Sequence, residues 1–486
     1  VYTILASIFI LSSCDSFLDN NLTNQLPDDK AFETMADCEA GLNGAYRSMY
    51  NHVVVLPALY DVVTDDIKHT RWGTNSYGNI RNFNWSSGSF GSSSSPWGIF
   101  YTQISRINNL LTGIEKFGDT PETKRIKGEA ITLRAMAHFE LLRLYGFKYN
   151  KSSADKDKGI PYVYETTLLA KERLSVSKVL SLILEDIKEG KSYLGHADVE
   201  KRPSNNAIYY LSLDAIYAFE TRLYLYMQDY DRVIESADKL TGYQLISDQV
   251  SFNSREKNDA SANEVIYMVG ISQTEATESF SLSQAIYIVD KYNNGKAKSD
   301  FLPGSELMAL YDKTDDIRWQ AYFTENFSMA ASTTDNNEPL TITTKYSGNS
   351  GISTSNRINQ PKYVRYAEVV LNKIEALYHT SESDALNELN AFRKKRITGY
   401  IDQVYSGTDL LNEIKVERRK EFAFEGMRFH DLRRWNDGFT RTLDKYTKNS
   451  DGIIISSTDY RWVLPIPQYE MDANNLPSDY QNPGYY

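Results

Sequence analysis

Apolar residues recur three or four positions apart along most of the chain from about Ala31 onward, which is the spacing of amphipathic helices. The clearest run follows Thr120, which can cap a helix whose first position is Pro121, and it ends near Gly146. The apolar positions of this run are Ile126, Ala130, Leu133, Ala137, Leu141 and Leu144. The pattern therefore predicts one long amphipathic helix that starts at Pro121.

Two further stretches have the pattern of paired helices. The first, residues 207–240, contains a tight polar turn from Gln228 to Tyr230. The second, residues 362–380 and 383–396, follows Pro361 and carries one apolar stripe on its first helix. The stripe consists of Tyr363, Ala367, Val370, Ile374 and Leu377. Repeated antiparallel pairs predict a mainly α fold, with a tetratricopeptide-like helical-repeat scaffold, an irregular loop-rich face and a few short strands.

Two segments interrupt the helical pattern. Residues 70–98 are rich in Gly, Ser and Asn but also carry several large aromatic residues, which a disordered linker normally lacks, so an ordered functional loop is predicted. Residues 244–355 mix polar loops with strand-like pieces such as "EVIYMVG" (264–270) and "QAIYIVD" (284–290). We therefore divide the chain into an N-terminal part, residues 31–243, and a C-terminal part, residues 244–486, packed together as one globular unit.

The N-terminal residues resemble a processed leader. Residues 4–11 form an apolar run too short to span a bilayer, and Ser12, Ser13 and Cys14 follow it. This order fits a bacterial lipobox, so we interpret residues 1–13 as a signal peptide remnant, Cys14 as the lipidated residue and residues 14–30 as a lipid-anchored tether. A buried hydrophobic N-terminal helix is the alternative. Cys38 is the second of two cysteines, so a disulfide framework is not expected.

Composition narrows the class of function. The 486 residues include 53 Lys and Arg against 64 Asp and Glu, and the net charge of −11 disfavours binding to nucleic acid. No phosphate-binding, dinucleotide-binding or hydrolase motif is present, and the six histidines lack metal-ligand spacing, so we expect no cofactor and no metal site. Adjacent acids, Asp65 with Asp66 or Asp315 with Asp316, leave a glycosidase as the less favoured alternative.

The aromatic loop carries the candidate binding residues. Sugar rings stack on flat aromatic faces, while their hydroxyls need nearby donors and acceptors. Trp72, Tyr77 and Trp85 could supply the faces, and Arg71 and Asn75 the polar groups. The alternative is that these rings fill gaps in the fold.

Outside these three residues, the evidence for aromatic binding residues is weaker. We assign Trp97 a structural role because helical spacing continues from it. Tyr287, Tyr292 and Trp319 are weaker binding candidates, and for Trp319 a core or ion-pair role is the stronger alternative because it follows "DDIR".

The stretch "ERRKEFAFEGMRFHDLRRW", residues 417–435, combines acids, arginines and a histidine and could be either an active site or part of the frame. It belongs to an ordered set of motifs. The set comprises the Cys14 lipobox followed by "FLD", "RAMAHFELLRLYG" (134–146), "RYAEVVLNKIEAL" (365–377), "IKVERRKEFAFEGMRFHDLRRW" (414–435), "LPIP" (464–467) and the terminal "QNPGYY". Taken together, and over nearly the whole mature chain, these motifs resemble the SusD/RagB family of outer-membrane nutrient-binding lipoproteins.

The resemblance implies a helical fold with four tetratricopeptide-like units and a non-enzymatic role at the cell surface. It also implies a partner, a SusC-like TonB-dependent β-barrel over which the protein sits as a hinged lid. Such proteins typically bind oligosaccharides, and some RagB-like members bind peptides. The ligand-binding aromatics often come from the region that corresponds to residues 70–98 here, so Trp72, Tyr77 and Trp85 are assigned by region.

We therefore expect a lipid-anchored outer-membrane protein that captures oligosaccharide by aromatic stacking and passes it to the barrel. A RagB-like peptide-binding protein with the same partner is the alternative. Residues 417–435 are then interpreted as frame, with a helix starting at Thr408 or Asp409, acids and arginines that pair with one another, and His430 as a packed neighbour. Loss of Glu425 is expected to lower the melting temperature.

Overall fold

The structure is a computed structural model that describes most of the chain. The described residues are 31–50, 52, 56–71, 77–89, 95–165, 171–204, 206–257, 263–270, 290–292, 296–298, 300–328, 339–345 and 360–485. Residues 1–30, including the predicted signal peptide remnant, the Cys14 lipobox and the tether, lie outside this set.

Helices dominate the described residues, which confirms the predicted fold class. They are α1 (Met35–Tyr50), α2 (Leu56–Val63), α3 (Gly78–Arg81), α4 (Pro96–Ile114), α5 (Pro121–Tyr145), α6 (Val176–Leu194), α7 (Leu213–Tyr226), α8 (Tyr230–Ala237), α9 (Gln249–Lys257), α10 (Ser305–Met308), α11 (Ile317–Tyr322), α12 (Tyr366–Thr380), α13 (Glu382–Arg396), α14 (Gly407–Glu421), α15 (Met427–Trp435) and α16 (Gln468–Ala473). Neighbouring helices pack as pairs, among them α5 with α6, α7 with α8 and α12 with α13.

The strands are short and pair only in antiparallel twos within the described part. They are β1 (Ile67–His69), β2 (Val265–Met268), β3 (Asp290–Tyr292), β4 (Lys296–Lys298), β5 (Phe301–Pro303), β6 (Phe323–Ser328), β7 (Pro339–Thr343), β8 (Lys362–Arg365), β9 (Phe439–Arg441) and β10 (Ile453–Ile455). The pairs are β1 with β5, β2 with β8, β3 with β4, β6 with β7 and β9 with β10. The strand predicted within 264–270 is confirmed as β2, whereas residues 284–289 lie outside the described residues.

Helix α5 follows its sequence signals closely. The Thr120 hydroxyl accepts a hydrogen bond from the Thr123 backbone N–H at 3.1 Å, and the Thr123 hydroxyl accepts one from the Thr120 N–H at 2.8 Å. Gly146 ends the helix. The helix lies between α4 and α6, and its residues are buried on nearly every side. The predicted long helix is confirmed, and it is a central element of the core.

Two predicted helix starts are wrong. Helix α7 begins at Leu213, where the Ser212 hydroxyl accepts from the Ala215 N–H at 3.2 Å, and residues Ala207–Tyr209 before it form a separate 3-10 turn. Helix α12 begins at Tyr366, because residues 362–365 extend as β8 and pair with β2. Tyr363 therefore lies in a strand and is no part of the helical stripe predicted for it.

The largest hydrophobic cluster contains residues from Cys38 in α1 to Ile466 near the C-terminus. The predicted N-terminal and C-terminal parts both contribute side chains to it, while the division of the chain at residue 244 stays a prediction. None of the helices in the described ranges is long and apolar enough to cross a membrane.

Candidate functional site

The aromatic loop leaves the fold at the end of β1, where three distant segments of the chain meet. β1 pairs with β5, so that His69 lies opposite Phe301. Beyond the strand, the Thr70 N–H donates to the Asp300 carbonyl at 2.9 Å and the Arg71 N–H donates to the Tyr446 carbonyl at 2.9 Å. We call the residues at and around this meeting point the loop base: Lys68, which is buried, the partly exposed Tyr77, Asp444 and Tyr446, and the exposed Arg71.

Ion pairs from α14 and α15 hold the chain immediately before β1. Arg428 donates two hydrogen bonds to the Asp65 carboxylate, both at 3.0 Å. Arg419 donates to Asp66 at 2.7 Å and also lies 3.0 Å from Asp65. Burial alone would raise the pKa of Asp65, but Arg419 and Arg428 outweigh it and lower that pKa. Residues 417–435, the stretch rich in acids and arginines, thus help to position the strand β1, which leads into the loop base.

A second clamp holds the chain after the loop. Arg81 in α3 is buried, and its Nη2 donates to the Ile67 carbonyl at 2.8 Å and to Asp451 Oδ2 at 2.7 Å. Asp451 also accepts from the His69 backbone N–H at 3.0 Å. Burial by itself would raise the pKa of Asp451, but the hydrogen bond and charge of Arg81 lower it. The two ends of residues 70–81 are therefore fixed to each other and to the core.

The loop base combines an aromatic ring with charged and polar groups. Tyr77 is half-buried in the left-handed backbone region at φ 61°, and its ring centroid lies 6.4 Å from that of Phe301. Burial raises the pKa of Tyr77 to about 12, so its hydroxyl stays protonated at neutral pH and can donate. These properties suit a ligand with apolar faces and many hydroxyls.

A charged pair, Lys68 with Asp444, lies next to the Tyr446 ring. Lys68 Nζ donates to Asp444 Oδ2 at 2.5 Å and to the Ser305 hydroxyl at 3.2 Å, and it lies 5.5 Å from the Tyr446 ring centre. Burial alone would raise the pKa of Asp444, but hydrogen bonds from Lys68 and Thr447 lower it to about 2. Asp444 is therefore a charged acceptor at neutral pH.

Two of the predicted binding residues lie in the described part of the loop segment, close to its ends. Arg71 is exposed at the end of β1 and Tyr77 precedes α3. Trp72, Asn75 and Tyr287 lie outside the described residues. Tyr292 ends β3, opposite Lys296 in the paired strand. The structure therefore places Arg71 and Tyr77 near the two ends of the loop segment, and the binding roles of Arg71, Tyr77, Trp72, Asn75, Tyr287 and Tyr292 stay predictions.

The structure gives Trp85 and Trp319 core positions. Trp85 is 5% exposed, packs on Phe83 and donates from Nε1 to the Tyr485 hydroxyl at 2.9 Å. Trp319 is 4% exposed and lies 4.7 Å from the Phe323 ring. A ring enclosed by protein offers no face to a sugar, so neither residue is retained in the proposed site. The structural role predicted for Trp97 is confirmed, since it is buried against Tyr101 and Tyr145.

The sequence alone does not indicate three residues of the loop base, namely Lys68, Asp444 and Tyr446. Lys68 lies within a three-residue strand, and Asp444 and Tyr446 lie in a polar turn more than 350 residues further along the chain. They meet because Thr70 pairs with Thr447 and Lys68 reaches Asp444. A lone lysine and a polar turn carry no local signal for such a meeting.

Residues 417–435 form part of the frame, as predicted, but most of their partners come from elsewhere in the chain. Glu421 accepts from Arg365 at 2.8 Å, Arg396 at 2.9 Å and Arg318 at 3.2 Å, and all four side chains are buried. The expected pairing within the segment is found at Asp431, which accepts from Arg418 and Arg434. His430 packs edge-on against Tyr60 at 4.4 Å. The frame role follows from these contacts, while the prediction of mainly internal pairs is wrong.

Three of the four adjacent acids considered for hydrolysis have ion-pair partners in the frame. Asp65 and Asp66 are the carboxylates that Arg419 and Arg428 hold. Asp316 caps α11 by accepting from the Arg318 N–H at 3.1 Å, and it also pairs with the Arg318 guanidinium. Across the described part of the chain, no group of three or more His, Cys, Asp or Glu side chains is arranged to hold a metal ion.

Two family models match this chain. The model described as "SusD family" matches residues 284–485, and the model described as "Starch-binding associating with outer membrane" matches residues 16–225. SusD-like protein P38 from Formosa agariphila is 25% identical, with 90% of each chain covered.

Solved structures agree with the fold. A SusD superfamily protein from Bacteroides thetaiotaomicron is 24% identical, with a TM-score of 0.77 over 93% of this chain and 100% of that one. Surface glycan-binding protein A from Bacteroides fluxus is 21% identical, with a TM-score of 0.70 over 93% and 100% of the respective chains. With both family models and a shared fold over nearly its full length, this chain belongs to the SusD/RagB family.

Proposed function

We propose that this protein is a lipid-anchored protein of the outer cell surface that captures an oligosaccharide at the loop base and delivers it to a SusC-like TonB-dependent barrel, acting as its lid. The observation that carries the proposal is the loop base itself. A tyrosine ring, a charged pair and an exposed arginine lie at the root of the aromatic loop, and the segment is clamped on both sides by buried ion pairs.

The clamps favour binding because they fix the groups before the ligand arrives. A site that is already ordered loses less conformational entropy when the ligand binds. Arg428 and Arg81 hold the backbone on either side of the loop, so the position of Tyr77 does not depend on the ligand. Membership in a family of SusD-like carbohydrate-binding proteins, and the glycan-binding name of one structural neighbour, support a carbohydrate as the ligand.

Capture followed by delivery needs no covalent chemistry. A lid closes when its ligand binds the closed state more tightly than the open state, so the ligand shifts the population toward closure. Of the adjacent acids considered for hydrolysis, Asp65, Asp66 and Asp316 are held in structural ion pairs. Binding without turnover is therefore the function we propose, and release of product from polysaccharide by the purified protein would contradict it.

Replacing Tyr77 tests the site. Asparagine tolerates the left-handed backbone of this position but has no ring, so Tyr77→Asn removes the stacking face without straining the chain. A glycan array first identifies a bound oligosaccharide, and titration calorimetry then measures its affinity. We expect a loss of roughly 1 to 3 kcal/mol in binding free energy, as for other aromatic stacking contacts. Trp72→Ala is expected to act in the same direction.

Tyr164 offers a matched control, because it is an exposed tyrosine that contacts Arg134 and Tyr162 away from the loop. Tyr164→Asn should leave the affinity unchanged. If Tyr77→Asn binds the oligosaccharide as tightly as the wild type, the site assignment fails while carbohydrate binding stands. If the array is blank and a peptide library is captured instead, the RagB-like alternative replaces the carbohydrate proposal.

The anchor and the partner have separate tests. If Cys14 is acylated, Cys14→Ser should move the protein from the membrane fraction to the soluble fraction, because the tether then lacks its lipid chains. Affinity purification of the native protein from solubilised outer membranes should also recover a TonB-dependent barrel. An unchanged membrane fraction for Cys14→Ser would refute lipidation at this residue, and recovery without a barrel would refute the lid role.

A further inference from the structure

A small cavity lies inside the molecule between the end of α7 and helix α15. Its lining includes Arg143 from α5, Tyr226 from α7, and His430 and Arg433 from α15. The space available is about 30 Å³, enough for one or two bodies the size of a water molecule. No sugar ring fits there, so the cavity is unrelated to the capture of oligosaccharide.

The cavity carries an excess of positive charge. Most of the arginines around it have carboxylate partners, such as Arg222 with Glu368 and Arg434 with Glu375. Arg433 differs, because its hydrogen bonds go to the backbone carbonyls of Arg143 and Gly146 and it pairs with no carboxylate of the described chain. Arg433 is 5% exposed. A buried guanidinium without a counter-charge is costly, and a bound anion would offset that cost.

The unused polar atoms at the cavity are all able to donate. Within the described residues, Arg433 Nε, Arg143 Nε, His430 Nε2 and the Tyr226 hydroxyl are buried without a hydrogen-bond partner. The two arginine nitrogens can only donate, and a neutral imidazole can carry its hydrogen on Nε2. The Tyr226 oxygen lies near the backbone N–H of Tyr149, which also only donates, so its own hydrogen remains available. Four unused donors among the residues that line this space match an anion better than a cation.

Three neighbouring features bear on this arrangement. Burial and the nearby arginines hold the pKa of His430 well below its usual range, so the imidazole is neutral and does not add a charge. Arg143 and His430 also line the adjoining cavity, where Glu140 pairs with Arg143 through one carboxylate oxygen and leaves Oε2 without a partner, whereas Tyr226 and Arg433 line only the first cavity of the two. Lys148, Tyr226 and Arg434 are shared with a surface depression next to Trp435, which provides a route for exchange with solvent.

We propose that this cavity binds a small monovalent anion, such as chloride, through Arg433, Arg143, His430 and Tyr226. A space of about 30 Å³ suits a small ion. The one carboxylate in the described lining, Asp431, is already paired with Arg418 and Arg434, so a metal ion would meet an excess of positive charge there. The anion would accept hydrogen bonds from α15 and also from α5 and α7 in the N-terminal part. Helix α15 belongs to the frame that holds the loop base. Its role is therefore to stabilise the packing of these helices.

Crystals of the full chain soaked in sodium bromide test the site directly. We expect an anomalous peak between Arg433, Tyr226 and His430. The melting temperature of the wild type should also be higher in sodium chloride than in sodium gluconate at equal ionic strength, because an ion that binds only the folded state stabilises it. An empty cavity in the anomalous map together with equal melting temperatures in the two salts would show that water alone fills it.

Substitutions at the cavity provide a second test. Each variant is compared with itself in the two salts, so a general loss of stability does not affect the result. Arg433→Met removes the central charge, and Tyr226→Phe removes one donor while the ring keeps its edge contact with Phe139. Both should lose most of the difference between chloride and gluconate. Tyr267 is the matched control, because its hydroxyl is also buried and unpaired but lies outside this cavity. Tyr267→Phe should keep the full chloride effect, and a full effect in Tyr226→Phe would overturn the assignment.

Discussion

Glu421→Ala is expected to destabilise the protein by about 3 to 5 kcal/mol, the cost of breaking a buried ion pair by removing one partner. The carboxylate accepts hydrogen bonds from Arg318, Arg365 and Arg396, and each of these guanidiniums is at most 2% exposed. Burial alone would raise the pKa of Glu421, but Arg396, Arg365 and Arg318 together lower it well below its usual range. Denaturant unfolding followed by circular dichroism measures the loss as a lower midpoint.

Glu413 on the same helix provides the control. It pairs with Arg393 at 2.7 Å, its side chain is 32% exposed, and Arg393 keeps a second partner in Glu417. Glu413→Ala should therefore cost no more than about 1 kcal/mol, as partly exposed pairs do. A Glu421→Ala protein that unfolds at the same denaturant concentration as Glu413→Ala would contradict the central role of this carboxylate.

Glu425 tests the same network at its edge. It accepts from Lys345 at 2.6 Å and from Arg365 at 2.7 Å, and its side chain is 18% exposed. Glu425→Ala should lower the melting temperature, as the sequence analysis predicts, but by less than Glu421→Ala, because water can reach part of the site. A Glu425→Ala protein that keeps its melting temperature but loses oligosaccharide binding would make this residue part of the binding site.

The second large effect is a loss of stability in mild acid that originates at His138. This residue lies in α5 and is fully buried against Tyr162, with ring centroids 3.7 Å apart. Its Nε2 accepts from the Val163 N–H at 3.1 Å, so its hydrogen is on Nδ1, which donates to the Arg134 carbonyl at 3.0 Å. Both nitrogens are used in the neutral form, and protonation would break the bond to Val163.

Burial is the main cause that lowers the pKa of His138 to about 3. Below pH 6.5 His138 therefore binds a proton in the unfolded chain but stays neutral in the folded chain. The free energy of unfolding consequently decreases as the pH falls from 6.5 toward 3. The slope from one such group reaches about 1.4 kcal/mol per pH unit. His52, whose pKa burial lowers to about 4, acts in the same direction.

Unfolding curves at pH 6.5, 5.5 and 4.5 measure this slope. In this interval the buried carboxylates contribute little, because a group such as Glu417, whose pKa is lowered to about 2 in the folded protein, loses its stabilising effect only between about 4.5 and 2. His138→Gln keeps a neutral donor and acceptor but cannot titrate. Its slope should be shallower than that of the wild type, whatever its absolute stability, and an identical slope would refute the assignment to His138.

The helices with local start and end signals could be predicted from the sequence. The hydrogen bonds between Thr120 and Thr123 involve residues three positions apart, and Gly146 ends the same helix, so the bounds of α5 depend on neighbours in the chain. The start of α12 depends on β2, about one hundred residues earlier, and residues 362–365 became a strand although their apolar spacing fits a helix. Backbone pairing with a distant strand overrode the local preference there.

The candidate site was predicted only in part for the same reason. A loop rich in aromatic residues is visible in the sequence, but whether a ring faces solvent depends on what packs against it. Trp85 and Tyr77 are eight residues apart, yet the first is enclosed with Phe83 and the second is only partly buried. Lys68, Asp444 and Tyr446 reach the loop only because the chain returns to β1 after more than 350 residues.

The sequence by itself determined the helical class, the family and the frame role of residues 417–435, because periodicity, capping residues and ordered motifs are properties of neighbouring positions. Only the tertiary structure decided which arginine meets which carboxylate, which aromatic rings are buried, and which polar groups surround the loop base and the internal cavity. Ion pairs and burial depend on contacts between residues far apart in the chain, and a linear pattern records the residue types without recording those contacts.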